Sequence, residues 1–312
     1  MFCIIAFIVL SILGIFSASN RVLAREALDC VLKRITLRPC TTGFDQKMKA
    51  KILGTLIGRS EKSARFINKY FELLSWIFFI LLLSSSIMAI NGTYLYYRYG
   101  SCNGLNQTGV CLYDPKGDSN KVSTIDANCD PSTVNASNLS LNGVNRALFP
   151  EKNSQAKDDL FFIGCYECEF TRKVYPLIQE LANRYDVRYT FAHFPTKGDT
   201  GYLSEIGECI YQQRPEKYWE FNDALFATKV SNLEEREYVN KLVKDMGIEL
   251  NGIQACLFDP RTKIKIKQQV VELEKTGLYG TPTIFINGNP LVGPKPYRVY
   301  AIMLKGLFYW LN

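Results

Sequence analysis

The chain has a single histidine, His193, in 312 residues, and no CxxC or CxxH other than Cys165-Tyr166-Glu167-Cys168. A closed zinc site needs a second ligand pair, so this motif has no complement for tetrahedral metal binding. No internal repeat is visible, and charge is missing altogether from residues 1–18 and 73–90. A net excess of one sign is also missing from most of the rest. Residues 91–155 carry five Lys+Arg and five Asp+Glu, and residues 156–312 carry 20 of each. Those parts lack the basic excess that binding nucleic acid requires. The net charge of +7 lies in residues 19–72, with 12 Lys+Arg against 5 Asp+Glu. What the chain does have is apolar material, 47% hydrophobic and 13% aromatic. That excludes a disordered chain, a collagen-like chain and a disulfide-stapled mini-protein.

As helices, the two uncharged stretches would each rise about 27 Å, close to the thickness of a hydrocarbon core. Trp76 and the cluster Tyr94, Tyr96 and Tyr97 suit the two interfaces of the second stretch. A cleaved signal peptide needs positive charge before its apolar core, whereas Arg21 and Arg25 follow the first stretch. Short loops rich in Lys and Arg stay in the cytoplasm. The expectation is therefore a two-pass protein of the cell membrane. Residues 1–18 and 73–97 span the bilayer, the basic loop 19–72 faces in, and the C-terminal part is extracytoplasmic. The sequons at Asn91, Asn106, Asn135 and Asn138 fall in one stretch on the outer side.

Residues 98–155 are rich in Asn, Ser, Gly and Asp and read as a loop-rich spacer. From residue 156 the texture changes to alternating strand and helix signals. Asp159 to Ile163 reads as a buried strand, Cys168 to Tyr185 as an amphipathic helix and Val187 to Phe194 as a second strand. Residues 200–275 read as helical, and Thr283 to Val292 as a hairpin turning at Asn287-Gly288. Tyr297 to Leu311 closes the chain as a helix. The fold class is α/β, with a helical insert.

Of ten cysteines, Cys3, Cys30 and Cys40 belong to the membrane and cytoplasmic part. The other seven lie outside, where disulfides persist. The CxxC falls between a strand and an amphipathic helix, which places Cys165 at a helix N-terminus that stabilises a thiolate, with Cys168 one turn in. Two sulfurs so spaced can close and open a disulfide by exchange. Asp159, six residues before Cys165, is a candidate carboxyl beneath the pair that moves the proton of Cys168; the alternative is an exposed strand start shared with Asp158. Cys209, beside Ile206 and Ile210, and Cys256, beside Ile253 and Leu257, lie on apolar helical faces that packing would bring together as a disulfide.

The segments FFIGCYEC, VRYTFAHFP, KYWEFNDALF (217–226) and YGTPTIFING (279–288) occur in this order over residues 157–312. Together they resemble the DsbA-like thiol-disulfide oxidoreductases of the thioredoxin superfamily. The resemblance implies a thioredoxin fold and an enzyme acting on cysteine-containing secreted or membrane proteins. It implies a membrane redox partner that recycles the pair, and no cofactor. Its catalytic residues would be Cys165 as nucleophile, Cys168 as resolving thiol, Asp159 as buried acid and Pro282 in cis. A cis Pro282 would present the Thr281 backbone to an extended substrate. A second disulfide in the insert occurs in some members, in agreement with Cys209–Cys256. Tyr166-Glu167 departs from the family's usual dipeptide. It sets a carboxylate beside the thiolate, which disfavours the ionised, reduced form and makes the couple less oxidising. Two other readings stand beside this one: a copper chaperone using Cys165, Cys168 and His193, and a redox-inactive anchored scaffold.

Overall fold

In the computed structural model, residues 2–36, 38, 43–58, 61–124, 138–198 and 200–311 are described. The chain divides into two compact units, Met1–Asn91 and Gly92–Asn312.

The first unit is helical: α1 (Phe2–Phe16), α2 (Ala18–Ile35), α3 (Phe44–Ile57) and most of α4 (Glu61–Tyr99). α4 is the one described helix long and apolar enough to cross a membrane. A break in helical geometry at Tyr70 separates its charged start from the apolar stretch. Side chains there, including Leu73, Trp76, Phe78 and Leu81, stay exposed rather than packed in protein. α1 differs. It is only 15 residues long, about 22 Å, and Cys3, Ala6 and Leu10 pack on Ala24 and Ala27 of α2. α2 also carries Arg21, Arg25, Glu26, Asp29 and Lys33. A helix so charged has no place in a hydrocarbon core. Of the two spans expected from sequence, α4 meets the length and α1 does not.

The second unit holds a five-stranded sheet in the order β2 (Glu151–Lys152), β4 (Val187–His193), β3 (Asp158–Gly164), β6 (Thr283–Ile286), β7 (Asn289–Val292). β3 and β4 are parallel and the other pairs antiparallel. The parallel pair is joined through α5 (Glu169–Arg184), the crossover that parallel strands require. β6 and β7 turn at Asn287 and Gly288, both at positive φ, as a two-residue hairpin demands. This is the thioredoxin fold anticipated from the sequence. The sheet is buried on both faces, which explains the unbroken apolar run of β3. Leu160 and Phe162 face one core with Val174, Ile178 and Leu181 of α5 and Val299 of α12 (Tyr297–Lys305). Phe161, Ile163 and Phe285 face a second core.

That second core corrects the reading of 98–155 as a spacer. Val122, Leu139 and Phe149 are buried in it, so much of this segment is part of the domain. Cys102 and Cys111 form a disulfide within it, while Cys129 lies outside the described residues. Asn106, the asparagine of one of the four sequons, donates its side-chain amide to the Pro290 carbonyl and accepts from the Val292 N–H.

The helical insert comprises α6 (Gly201–Gln213), α7 (Pro215–Ala227), α8 (Val230–Leu233), α9 (Arg236–Asp245), α10 (Leu250–Phe258) and α11 (Pro260–Glu274). Cys209 of α6 and Cys256 of α10 are disulfide-bonded, with Cα atoms 5.8 Å apart and a sequence separation of 47. Closing a loop of that length stabilises the fold by about 4 kcal/mol in the chain-entropy account. Cys209→Ser should therefore lower the unfolding free energy by up to about 4 kcal/mol in urea titrations. An unchanged midpoint would show that the bond holds nothing together.

Candidate active site

β3 runs without a break through Gly164 into Cys165. A Cβ on Gly164 would meet Thr171 Cγ2 at 2.5 Å and the Phe191 ring at 3.2 Å, so only glycine lets the strand end this close to α5. The Cys165 N–H donates to Thr171 Oγ1 at 3.3 Å, and the Cys168 N–H donates to the Cys165 carbonyl at 3.2 Å. These bonds form the turn that sets both sulfurs at the strand–helix junction.

The helix begins where its periodicity placed it, so Cys165, expected at the helix N-terminus, precedes it by a turn. α5 starts at Glu169, and Cys168 is its N-cap, with its Sγ accepting the Thr171 N–H at 3.4 Å. Cys168, not Cys165, therefore meets the free N–H groups of the helix end. Both cysteines are thiols, and both are fully buried. The Cys165 S–H points to the Lys197 carbonyl at 3.5 Å, with Thr200 Oγ1 at 3.9 Å. The Cys168 S–H donates to the Thr281 carbonyl at 3.3 Å. The Thr281–Pro282 peptide bond is cis, and Thr281 Oγ1 is 2.9 Å from Thr196 Oγ1.

Asp159 does not lie beneath the sulfurs. Every residue from 158 to 164 is in the ladder, so Asp159 and Cys165 stand about 20 Å apart along an extended strand. Its carboxylate pairs with Arg146 at 2.6 Å and Arg188 at 3.0 Å. The near neighbour that sequence reasoning missed is Ser123, whose Oγ is 3.0 Å from Cys168 Sγ. Nothing in a polar, turn-rich stretch signals such a contact.

Ser123 belongs to β1 (Ser123–Thr124), which pairs antiparallel with β5 (Gly280–Thr281). The Thr281 edge, expected to be open to an extended substrate, is thus occupied by the chain itself. A Cβ on Gly280 would meet the Ser123 carbonyl at 2.6 Å, so the fit is close. Buried Lys295 donates from Nζ to the Ser119 carbonyl at 2.7 Å and to Asn120 Oδ1, which holds the segment leading into β1. Burial lowers this lysine's pKa to about 7. A two-residue ladder is worth roughly 1–2 kcal/mol. Replacing Ser123 or Thr124 with Pro should therefore speed alkylation of the CxxC by about tenfold. An unchanged rate would mean that β1 does not limit access.

His193 is not aimed at the sulfurs. Its Nδ1 pairs with Ser204 Oγ at 2.6 Å, and its ring stacks on Tyr166 at 4.5 Å. Among the described residues no three His, Cys, Asp or Glu side chains come together as a metal site. Burial lowers the imidazole pKa to about 3. Between that value and the unfolded value of about 6.5, the unfolded chain binds the extra proton, so stability rises with pH. The domain should lose up to about 1.4 kcal/mol per pH unit on acidification below 6.5, and His193→Gln should flatten that slope in denaturant titrations. An unaltered slope would assign the acid sensitivity to other groups.

A thioredoxin fold carrying two thiols in a CxxC at the strand–helix junction, opposite a cis proline, defines the class of thiol-disulfide oxidoreductases. Residues 154–305, just under half of the chain, match the family model described as Thioredoxin. The chain is 26% identical over 156 residues to a probable disulfide bond formation protein D of Bacillus anthracis, covering 45% of this chain and 72% of that one. It is also 28% identical over 141 residues to a Na(+)/H(+) antiporter NhaA 3 of Salinispora tropica, of which it covers only 21%. Among solved structures, the thiol-disulfide exchange protein alpha-DsbA2 of Wolbachia pipientis is similar at a TM-score of 0.49 and 20% identity, over 53% of this chain and 89% of that one.

Proposed function

We propose that the chain is a membrane-anchored, extracytoplasmic thiol-disulfide oxidoreductase that acts on cysteines of secreted or membrane proteins. The observation that carries this reading is the pair itself: two thiols on one turn, Cys168 against the carbonyl of Thr281 at 3.3 Å. Cys165 is the nucleophile. Its thiolate attacks one sulfur of a substrate disulfide, a mixed disulfide forms, and one substrate sulfur leaves as thiolate. Cys168 then attacks Cys165 Sγ, the Cys165–Cys168 bond forms, and the second substrate thiolate departs. The substrate gains two electrons and the pair loses two; the reverse sequence oxidises a substrate dithiol. The proton of Cys168 passes to the departing thiolate, because Asp159 is engaged with two arginines at the far end of β3. A membrane redox partner resets the pair in either direction.

The anchor is α4. The basic excess of residues 19–72 and the exposed apolar face beyond Tyr70 support a cytoplasmic position for residues 19–72 and an extracytoplasmic one for the C-terminal domain. The two-pass arrangement expected from the sequence requires α1 to span as well. Its length and its packing on charged α2 favour a single span, with α1 lying against the membrane surface through Ile12, Ile15 and Phe16.

Cys168→Ser should accumulate mixed disulfides joined through Cys165, identified by peptide mapping after acid quenching, and Cys165→Ser should abolish exchange. Trapping through Cys168 in the Cys165→Ser protein would reverse the roles. Binding of one copper ion lost on His193→Gln would favour the chaperone reading instead.

A further inference from the structure

Helix α4 does not stop where its apolar stretch ends at Ile90. It continues to Tyr99, and a loop folds back onto this extension. A Cβ built on Gly92 would lie 3.8 Å from Cys102 Cβ, so the Cys102–Cys111 disulfide packs level with that residue. The Tyr113 hydroxyl is 3.0 Å from Thr93 Oγ1, and the Tyr113 ring stacks on Tyr96 at 4.8 Å. Between the two cysteines, Asn106 fixes the loop to β7 through the Pro290 carbonyl and the Val292 N–H, both at 2.8 Å. All of these contacts lie within the second unit.

The loop is tied down, yet its apolar side chains are left out. Val110 is 98% exposed and Leu112 86%, on either side of buried Cys111. A single exposed apolar residue is ordinary; two that flank a disulfide make a surface. Residues 99–113 carry no charged side chain, which removes the desolvation cost that would hold such a loop in water. Position decides what covers it. Gly92, Thr93 and Tyr96 follow Ile90 by about 3 to 9 Å of helical rise. The polar interface of a bilayer is about 5–7 Å deep on each side of the hydrocarbon. With the apolar stretch of α4 in the hydrocarbon, the disulfide stands in that interface, and Tyr113 joins Tyr94, Tyr96 and Tyr97 in one aromatic belt.

We infer that Val110 and Leu112 form a membrane-docking wedge that inserts into the leaflet through which α4 leaves the bilayer. The inference rests on the reading of α4 as a span. The partner is lipid at the headgroup–acyl boundary, the depth at which interfacial apolar side chains settle. The wedge gives the C-terminal domain a second attachment besides the covalent one. A lone helix leaves a domain free to swivel about the helix axis. A wedge set off that axis, and joined to β7 through Asn106, fixes which side of the domain meets the membrane.

The test uses the full chain reconstituted in phosphatidylcholine vesicles whose acyl chains carry bromine near either the glycerol end or the methyl end. Val110→Trp should add a fluorescence that bromine near the glycerol end quenches roughly twofold or more, and bromine near the methyl end less. Leu112→Ser in the Val110→Trp chain should weaken that quenching about twofold, since the two side chains insert together. No quenching in the Val110→Trp chain would overturn the wedge. So would quenching indifferent to Leu112→Ser, because the introduced indole would then be inserting by itself. The span is read separately in the same vesicles, from the difference between the parent chain and Trp76→Phe. Absence of quenching at Trp76 would count against the span, whatever the Val110→Trp chain shows.

Discussion

The geometry of the site depends on one constraint, the direct passage from β3 into the turn that caps α5. Gly164 has no room for a Cβ, and the Cys168 sulfur takes the place of a capping oxygen by accepting the Thr171 N–H. Thr171 serves both cysteines, since its hydroxyl accepts from the Cys165 N–H. The same ladder sets Ile163 opposite Thr283, which brings Thr281 and Pro282 alongside Cys168. Lengthening this junction by even one residue would move the sulfurs off the helix end and away from the Thr281 carbonyl.

Around that junction the protein closes a roof. Ser123 and Thr124 pair with the edge beside the cis proline, and Lys197 and Thr200 cover Cys165. A polypeptide segment of the chain thus takes the position that an extended peptide would need. Substrate entry in the proposed reaction requires this short ladder to open. It is a small energetic demand against the many kcal/mol of apolar burial in the two cores below, because two backbone hydrogen bonds exchange readily with water or with another chain.

The fold of residues 156–312 was legible in the sequence because its signals are local. The apolar run of β3, the helical spacing of Val174, Ile178 and Leu181 and the Asn287-Gly288 turn each dictate their element without long-range information. The Cys209–Cys256 bond was legible because each cysteine sits on an apolar helical face. Three features were not. Asp159 has the spacing of a buried acid, but whether six residues run straight or coil depends on how far the ladder with β4 and β6 extends, which is a tertiary matter. Ser123 lies in a polar, turn-rich stretch, and its place beside Cys168 is set by Val122, Leu139 and Phe149 entering the second core. α1 has the composition of a span, but its 15 residues fall short of the length, and its small-residue face packs on the charged helix α2.

The central claim is that Cys165 and Cys168 form a redox couple rather than a structural staple. The most direct measurement is the reduction potential of that pair in the full chain, read by equilibrium with dithiol buffers and peptide mapping of Cys165 and Cys168. The account expects a single two-electron transition, more reducing than the strongest oxidants of this class at about −120 mV because Glu167 lies between the sulfurs, yet above about −300 mV. A Cys165–Cys168 bond that stays closed below about −300 mV, as structural disulfides do, would contradict it.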